Sequence, residues 1–203
     1  MKLLRLLALL PVLALFAAAE SACVPAAYSR PTLAVKHDRF RPDGASVQLS
    51  VPDGAEVAPF APGLIASAMA DKFDLWLYAP APHHGVVQDK ATFQLSHTSS
   101  NGWEYLKCHP LVFLIDGQTV DVRETEHDGS VEIGYVTEDI EFAAPLTLLD
   151  AMGHARLVEG KLCNTEFTIT PETLRLIRDF VKTVRTGVVP PQPVAPPEGT
   201  LGM

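Results

Sequence analysis

A run of five apolar residues, Leu111–Ile115, lies between two dipeptides that favour tight turns, Asn101-Gly102 and Asp116-Gly117. Asparagine, aspartate and glycine tolerate the positive φ angles of a two-residue hairpin turn, and the flanking residues are rich in β-branched and aromatic side chains. A strand that is apolar at every position needs cover on both of its faces. The stretch from residue 91 to residue 123 therefore predicts an antiparallel meander with Leu111–Ile115 at the buried centre of a sheet.

Several other segments alternate between apolar and polar residues, as strands with one buried face do. Val47, Leu49 and Val51 share one face between two Pro-Asp-Gly-Ala sequences, which predict turns at 42–45 and 52–55. Further strands are predicted near Thr32–Phe40, at Phe73–Ala79, over Val131–Phe142 and within 155–170. Helical patterns of short length are predicted at Leu64–Ala70 and within Ala144–His154.

The clearest helix signal begins at Thr170, which suits an N-cap position, and continues with Pro171 and Glu172 in the first turn. Its apolar residues recur at intervals of three and four and share one face: Leu174, Ile177, Phe180, Val181 and Val184. Gly187 is placed to end the helix. The predicted fold is therefore mainly β with helices (α+β), an antiparallel β-sandwich-like sheet with this C-terminal amphipathic helix packed on one face.

The two ends of the chain differ in composition from the middle. Residues 1–22 are predicted to be a signal peptide, because Lys2 and Arg5 precede an apolar run that ends in the small residues 17–19. Residues 23–30 are predicted to be a linker and residues 31–186 a single β-rich globular domain. Residues 187–203 contain five prolines and three glycines and are predicted to be a disordered tail. The expected location is exported: periplasm, outer cell envelope or extracellular space.

Three cysteines bear on that location. Ser21-Ala22-Cys23 matches the end of a bacterial lipoprotein cleavage site, whereas Glu20 stands where that site takes an apolar residue. Lipidation of Cys23, plain cleavage near Ala19 and a retained anchor are the alternatives. In an oxidising compartment the two interior cysteines, Cys108 and Cys163, are candidates for a disulfide, although the sequence alone does not place their Cα atoms.

The charge of the chain limits its partners. The formal net charge is −8 at pH 7. Nucleic acids and anionic lipid surfaces require clustered cations, so neither is an expected partner. Contact with a membrane is expected only through an N-terminal lipid or signal anchor.

One acidic segment resembles a Ca²⁺-binding loop. Carboxylates and a glycine occupy most of the required positions: Glu124, Glu126, Asp128, Gly129 and Glu132. Tyr135 stands where such a loop needs a bidentate glutamate. The alternative interpretation is an acidic hairpin that keeps the edge of a sheet from pairing with other chains. Ca²⁺ is the one cofactor that the sequence suggests.

Two aromatic pairs, Trp76 with Tyr78 and Trp103 with Tyr105, have the spacing that places two rings on one face of a strand. Exposed rings would stack on a sugar or bind an apolar partner surface, whereas buried rings would belong to the core. Solvent exposure of Trp76 and Trp103 distinguishes these interpretations.

No catalytic motif is present: the chain lacks a Gly-x-Ser-x-Gly elbow, a phosphate-binding loop and a dinucleotide fingerprint. The leading hypothesis is an exported cell-envelope protein, in one alternative a lipoprotein, that acts as a non-enzymatic binding or structural module for an envelope component. The second hypothesis is an exported hydrolase whose site is assembled from loop residues: His83, His84, His109 and Asp116. The third is a Ca²⁺-stabilised β domain.

Overall fold

The computed structural model describes residues 30–37, 44–57, 72–82 and 88–191. Within these residues the fold is mainly β, with two helices and a curled antiparallel sheet, which confirms the predicted class. The elements in chain order are β1 Thr32–His37, β2 Ala45–Val57, β3 Lys72–Pro80, β4 Lys90–Ser99, β5 Leu111–Ile115, β6 Gln118–Val122, β7 Glu126–Glu132, β8 Tyr135–Pro145, α1 Leu146–His154, β9 Val158–Leu162, β10 Thr165–Ile169 and α2 Pro171–Thr186.

Some predicted features lie outside the described residues. They are the signal peptide with Cys23, the helical pattern at Leu64–Ala70, the first predicted turn up to residue 43, and residues 192–203 of the tail. Within the described part of the chain, no helix combines the length and the apolar character that a membrane span requires.

The strands form one hydrogen-bonded sheet in the order β6-β5-β9-β10-β2-β3-β4-β8-β7, and β1 pairs with β2. Five strands separate β5 from β8 in this order, yet the rings of Phe113 on β5 and Phe142 on β8 are only 6.1 Å apart. Phe93 on β4 also contacts Phe113, at 5.7 Å between ring centroids. The sheet therefore curls until its two halves share one apolar interior.

Only one of the two predicted hairpin turns joins paired strands. Asp116 and Gly117 have φ angles of 47° and 84° and connect β5 to β6, with Ile115 opposite Gln118. Gly102 also has a positive φ, 98°, but the turn prediction for Asn101-Gly102 is wrong, because β4 pairs with β3 and β8 rather than with β5. Since both edges of β4 are occupied, residues 100–110 connect β4 to β5 as an irregular segment.

The prediction of a doubly buried central strand at Leu111–Ile115 is wrong. β5 lies second from one edge of the sheet. Leu111 and Phe113 are buried, whereas Leu114 is 39% exposed. Apolar residues commonly occupy partly exposed positions, so a continuous apolar run does not require cover on both faces.

β2 continues through a segment that was predicted as a turn. Val47, Leu49 and Val51 are buried on one face, as expected. The second Pro-Asp-Gly-Ala sequence forms a bulge, because the register with β3 shifts between Val51 and Ala55. Asp53 takes a φ of 53° there, and its backbone N–H donates to Asp74 Oδ1 at 2.9 Å. A turn-forming sequence can therefore bend a strand without ending it.

The C-terminal helix α2 begins and ends as its sequence predicts. Thr170 Oγ1 accepts a hydrogen bond from the backbone N–H of Thr173 at 3.2 Å, and Gly187 is left-handed with a φ of 72°. All five residues of the predicted apolar stripe are buried. The helix lies against α1, β2 and β3. A Cβ on Gly153 of α1 would approach the backbone of Arg178 to 2.8 Å, so glycine permits this close contact of the helices.

We expect Gly160→Ala to destabilise the fold. Gly160 on β9 lies opposite Phe167 on β10, and a Cβ at Gly160 would overlap the ring of Phe167. Overpacking of this kind costs about 1–3 kcal/mol. Urea unfolding followed by circular dichroism should show a lower midpoint. Glu159→Ala on the same strand is exposed and is the control; equal midpoints for both variants would contradict the packing argument.

Candidate functional site

Two large aromatic side chains lie side by side on the outer face of β3. The odd-numbered residues of this strand from Phe73 to Ala79 are buried, whereas Trp76 and Tyr78 are 45% and 47% exposed. The two rings share one strand face, as their spacing predicts, and the alternative that they belong to the core is wrong. Their role in binding stays a prediction.

Strand pairing aligns Trp76 with polar side chains of the neighbouring strands. Residues directly opposite each other in a sheet point to the same face, with Cβ atoms about 5 Å apart. We call this line of side chains the Trp76 row: Ser50, Trp76, Gln94, Glu141 and Glu126. Because strands are about 4.8 Å apart, the row extends about 14 Å from Trp76 to Glu126.

Tyr78 begins a second, parallel line. It lies between Gln48 on β2 and Thr92 on β4, and Thr92 is opposite Ala143 on β8. The two lines enclose a shallow groove of about 360 Å³. We call it the outer groove and define it by Gln48, Trp76, Tyr78, Thr92, Gln94 and Glu141.

A larger cavity lies beside the outer groove. This cavity has a volume of about 730 Å³ and lies between β4, β8 and the segment that runs from β6 to β7. Thr92 and Glu141 line both spaces. The two spaces therefore adjoin at these residues, and together they lie along the line from the aromatic rings to Glu126.

The end of the outer groove beside β7 is acidic. Glu141 lies opposite Glu126, and Asp139 lies opposite Asp128. Burial raises the pKa of Glu141, and the negative charges of Asp139, Glu126 and Asp128 raise it further. One carboxylate oxygen of Asp139 is buried and finds no hydrogen-bond partner within the described residues. This part of the sheet therefore brings the carboxylates of Glu141, Glu126, Asp139 and Asp128 close together.

The predicted Ca²⁺ loop has a different local structure. Glu126–Glu132 is the edge strand β7, so Glu126 and Asp128 point to one face instead of converging in a tight loop. Glu124 precedes the strand, and Glu132 accepts a hydrogen bond from the Tyr135 hydroxyl. A Cβ added at Gly129, the glycine of the loop pattern, would overlap the ring of Trp103. Within the described residues no group of three or more His, Cys, Asp or Glu side chains is placed to hold a metal ion. Ca²⁺ binding stays a prediction.

A second polar cluster lies on the inner face of β8, around Glu138. This carboxylate is fully buried and accepts hydrogen bonds from the backbone N–H groups of Glu104 at 2.7 Å and Tyr105 at 2.9 Å, and from Nε2 of His127 at 3.0 Å. Burial alone would raise the pKa of Glu138, but the three donors outweigh it and lower the pKa. The ionised Glu138 therefore fixes residues 100–110 onto the sheet.

Trp103 and Tyr105 belong to this irregular segment, so their predicted arrangement on one face of a strand is wrong. Trp103 is 41% exposed, and its ring lies 5.8 Å from the ring of His127, whereas Tyr105 is buried and donates from its hydroxyl to Thr165 Oγ1 at 3.1 Å. The two rings have different environments because each is placed by a separate contact. They do not form a second aromatic platform.

Cys108 and Cys163 form a disulfide, with their Cα atoms 5.8 Å apart. The prediction that they pair is confirmed, but neither lies inside a strand. Cys108 is in the irregular segment, and Cys163 is in the turn between β9 and β10 with a φ of 55°. The bridge ties the segment that Glu138 holds at its other end.

The residues proposed for a hydrolase site are only partly described. His109 and Asp116 lie at opposite ends of β5, and His83 and His84 lie outside the described residues. The Thr125 hydroxyl donates to the His109 carbonyl at 2.7 Å, so it accepts from His109 Nδ1 at 2.9 Å. Asp116 accepts from the backbone N–H groups of Arg156 and Leu157. Both side chains hold local structure and do not converge.

Sequence reasoning missed most of the outer groove. Gln48, Gln94 and Glu141 each occupy the polar positions of alternating segments, which is the one sequence signal that marks them. Their grouping around Trp76 depends on the strand order β2-β3-β4-β8. Alternation within a single segment does not specify that order.

Comparison with known proteins gives no assignment. No protein-family model, curated protein or solved structure matches the chain. The geometry of the outer groove is therefore the basis for a functional proposal.

We expect Glu138→Gln to lower the free energy of unfolding at pH 7 by about 3 kcal/mol, because an amide nitrogen cannot accept the N–H bonds that the carboxylate accepts. The folded pKa of Glu138 lies below its ordinary value of 4.5, so its stabilisation is present above that value and is lost as the pH falls through the lowered pKa. Urea unfolding at several pH values measures this. Glu159→Gln is the control, and a neutral-pH midpoint equal to that of the wild type would contradict the role of Glu138.

Glu141→Gln should have the opposite effect. The folded protein binds the proton of Glu141 more tightly than the unfolded chain does, so ionisation costs stability above the raised pKa. The variant should be more stable at pH 7 by a few tenths to about 1 kcal/mol. This gain should fade as the pH falls through the raised pKa towards the ordinary value of 4.5. Thermal melts of the variant and the wild type at pH 7 and at pH 4.5 measure this difference in stability. A variant that is less stable than the wild type at pH 7 would contradict the charge repulsion.

Proposed function

We propose that this protein is an exported cell-envelope protein that acts as a non-enzymatic binding module, with the outer groove as its binding surface. The observation that carries the proposal is the exposure of Trp76 and Tyr78 next to each other on one face of the sheet. Large aromatic side chains dominate binding energetics because they bury much area with few rotatable bonds. Two of them in a groove are typical of a recognition surface.

Export is supported by two features. The first is the signal-like composition of residues 1–22, and the second is the Cys108–Cys163 disulfide, since disulfides persist mainly in oxidising compartments. In this proposal Cys23 carries a lipid that anchors the domain to a membrane. The intact mass of the mature protein tests the anchor, because an acylated chain that begins at Cys23 is heavier than the peptide by its acyl groups.

A sandwich-like core would keep the groove rigid. Contacts such as that of Phe93 with Phe113 support a layered arrangement in which the two halves of the curled sheet pack on each other. The position of α2 against β2 and β3 supports its role as the cover of one side. A surface on such a support loses little conformational entropy when it binds.

A binding role accounts for the described side chains better than the hydrolase alternative does. His109 Nδ1 and Asp116 Oδ1 make local hydrogen bonds at the two ends of one strand. The exposed side chains of the outer groove instead combine rings, amides and a carboxylate. These groups can recognise a ligand without a nucleophile.

We expect Trp76→Ala, and more strongly Trp76→Ala with Tyr78→Ala, to weaken binding to envelope material by at least about tenfold, as loss of an aromatic anchor does. Co-sedimentation with washed envelope fragments and with insoluble cell-wall polysaccharide measures this. Both positions are exposed, so the variants should keep the wild-type melting temperature.

Trp103→Ala is the matched control, because Trp103 is equally exposed but lies outside the outer groove. It should bind like the wild type. Equal binding of wild type and the double variant, or an equal loss in Trp103→Ala, would contradict the assignment of the binding surface.

A further inference from the structure

We infer that the ligand of the outer groove is a saccharide chain with free, protonated amino groups, bound along the Trp76 row. This inference rests on the proposed function and adds the chemical class of the ligand. Three properties of the groove lead to it: the mixture of side chains, the linear arrangement and the sign of the charge.

The mixture of side chains suits a saccharide. A pyranose ring offers an apolar C–H face, which an aromatic ring can cover, and hydroxyl groups that both donate and accept hydrogen bonds. Gln48 and Gln94 carry amides that also do both, and Thr92 adds a hydroxyl. Gln48 Nε2 donates to Ser46 Oγ at 3.3 Å, which orients the amide oxygen of Gln48 for other contacts.

A protein partner is a poorer match. Stable protein interfaces bury about 1,200–2,000 Å² and have an apolar core from which charged residues are depleted. Here the two exposed rings stand among amides, hydroxyls and carboxylates in a groove of about 360 Å³. A narrow, polar chain fills such a groove more completely than a folded surface does.

The arrangement is linear. From Trp76 on β3 to Glu126 on β7 the Trp76 row crosses four neighbouring strands, a distance of about 14 Å, and it includes Glu141, which lines both the outer groove and the larger cavity. A single sugar ring would occupy only the part over Trp76. The length therefore favours an oligosaccharide with a ring at Trp76 and a further residue between Glu141 and Glu126.

The charge along this line is negative. Glu141 and Glu126 are the ionisable members of the Trp76 row, and the adjacent line across the same strands contains three more acids, Asp74, Asp139 and Asp128. The nearest cations that line the larger cavity, Lys90 and Arg123, are outside these two lines. Such a surface repels uronic acids and phosphorylated sugars and attracts an ammonium group.

The carboxylates at the acidic end repel one another. Glu141 lines the outer groove, and the like charges of Asp139, Glu126 and Asp128 surround it. An ammonium group between the opposed carboxylates would form charge-assisted hydrogen bonds and reduce this repulsion. A metal ion could do the same, and sensitivity of binding to a chelator distinguishes it from an amine. The opposed carboxylates of Glu141 and Glu126 suit an ammonium group.

The test is calorimetric titration of the full chain with glucosamine oligomers, with N-acetylated oligomers of the same length and with galacturonic acid oligomers. Glucosamine oligomers should bind at least about tenfold more tightly than the N-acetylated ones, the gain expected for charge-assisted hydrogen bonds, and galacturonic acid oligomers should not bind. Trp76→Ala should weaken binding of both amino-sugar series. Glu126→Gln with Glu141→Gln should remove only the preference for the free amine.

The matched control is Glu159→Gln with Glu166→Gln, which removes the same charge from exposed positions that line neither the outer groove nor the larger cavity. If this control loses the preference equally, binding is non-specific attraction and the inference is overturned. If the free and acetylated oligomers bind with equal affinity, and Trp76→Ala weakens both, recognition of the free amine is overturned. The proposed binding surface would then still stand. Binding that a chelator abolishes would overturn direct contact of the amine with carboxylates. If none of the oligomers binds, a saccharide ligand is overturned. Co-sedimentation of Trp76→Ala with envelope fragments tests the binding surface separately.

Discussion

The contact of phenylalanine rings inside the curled sheet is the interaction on which the rest of the structure depends. Phe113 lies within about 6 Å of Phe93 and Phe142, and Phe73 lies 5.2 Å from Phe167, so strands from both halves of the sheet share one interior. Because the side chains of the inner face form the core, the outer side chains of β3, β4 and β8 are not needed for packing. A groove of polar side chains can exist there only because the apolar face is closed elsewhere.

The sequence predicted the parts of the fold that depend on local chemistry. The N-cap at Thr170, the left-handed Gly187 and the Asp116-Gly117 turn each follow from one or two residues, and the structure has all three. Strand order does not follow from local chemistry. The error at Asn101-Gly102 arose because β8, which is far away in sequence, occupies the edge of β4 that a hairpin would need. The same long-range pairing places Glu141 opposite Gln94, so the residues of the outer groove could not be grouped from the sequence either.

The two Trp-x-Tyr sequences show how far a short motif can be interpreted. Trp76-x-Tyr78 lies in a regular strand, and the alternation of side chains places both rings in solvent. Trp103-x-Tyr105 lies in an irregular segment, where backbone hydrogen bonds to Glu138 turn Tyr105 into the core and leave Trp103 over Gly129. Spacing predicts a shared face only when the backbone is extended, and the buried carboxylate that prevents this lies more than thirty residues away.

The alternation of β8 separates two carboxylates with opposite consequences. Glu138 points inward, where three donors compensate its charge, so its ionisation stabilises the fold. Glu141 points outward among other acids, so its ionisation costs stability at neutral pH. A neutral side chain at position 141, such as that of its cross-strand partner Gln94, would avoid this repulsion. A cationic group that binds beside Glu141 would offset this repulsion, so the same acid that lowers stability at neutral pH would favour binding of a cation.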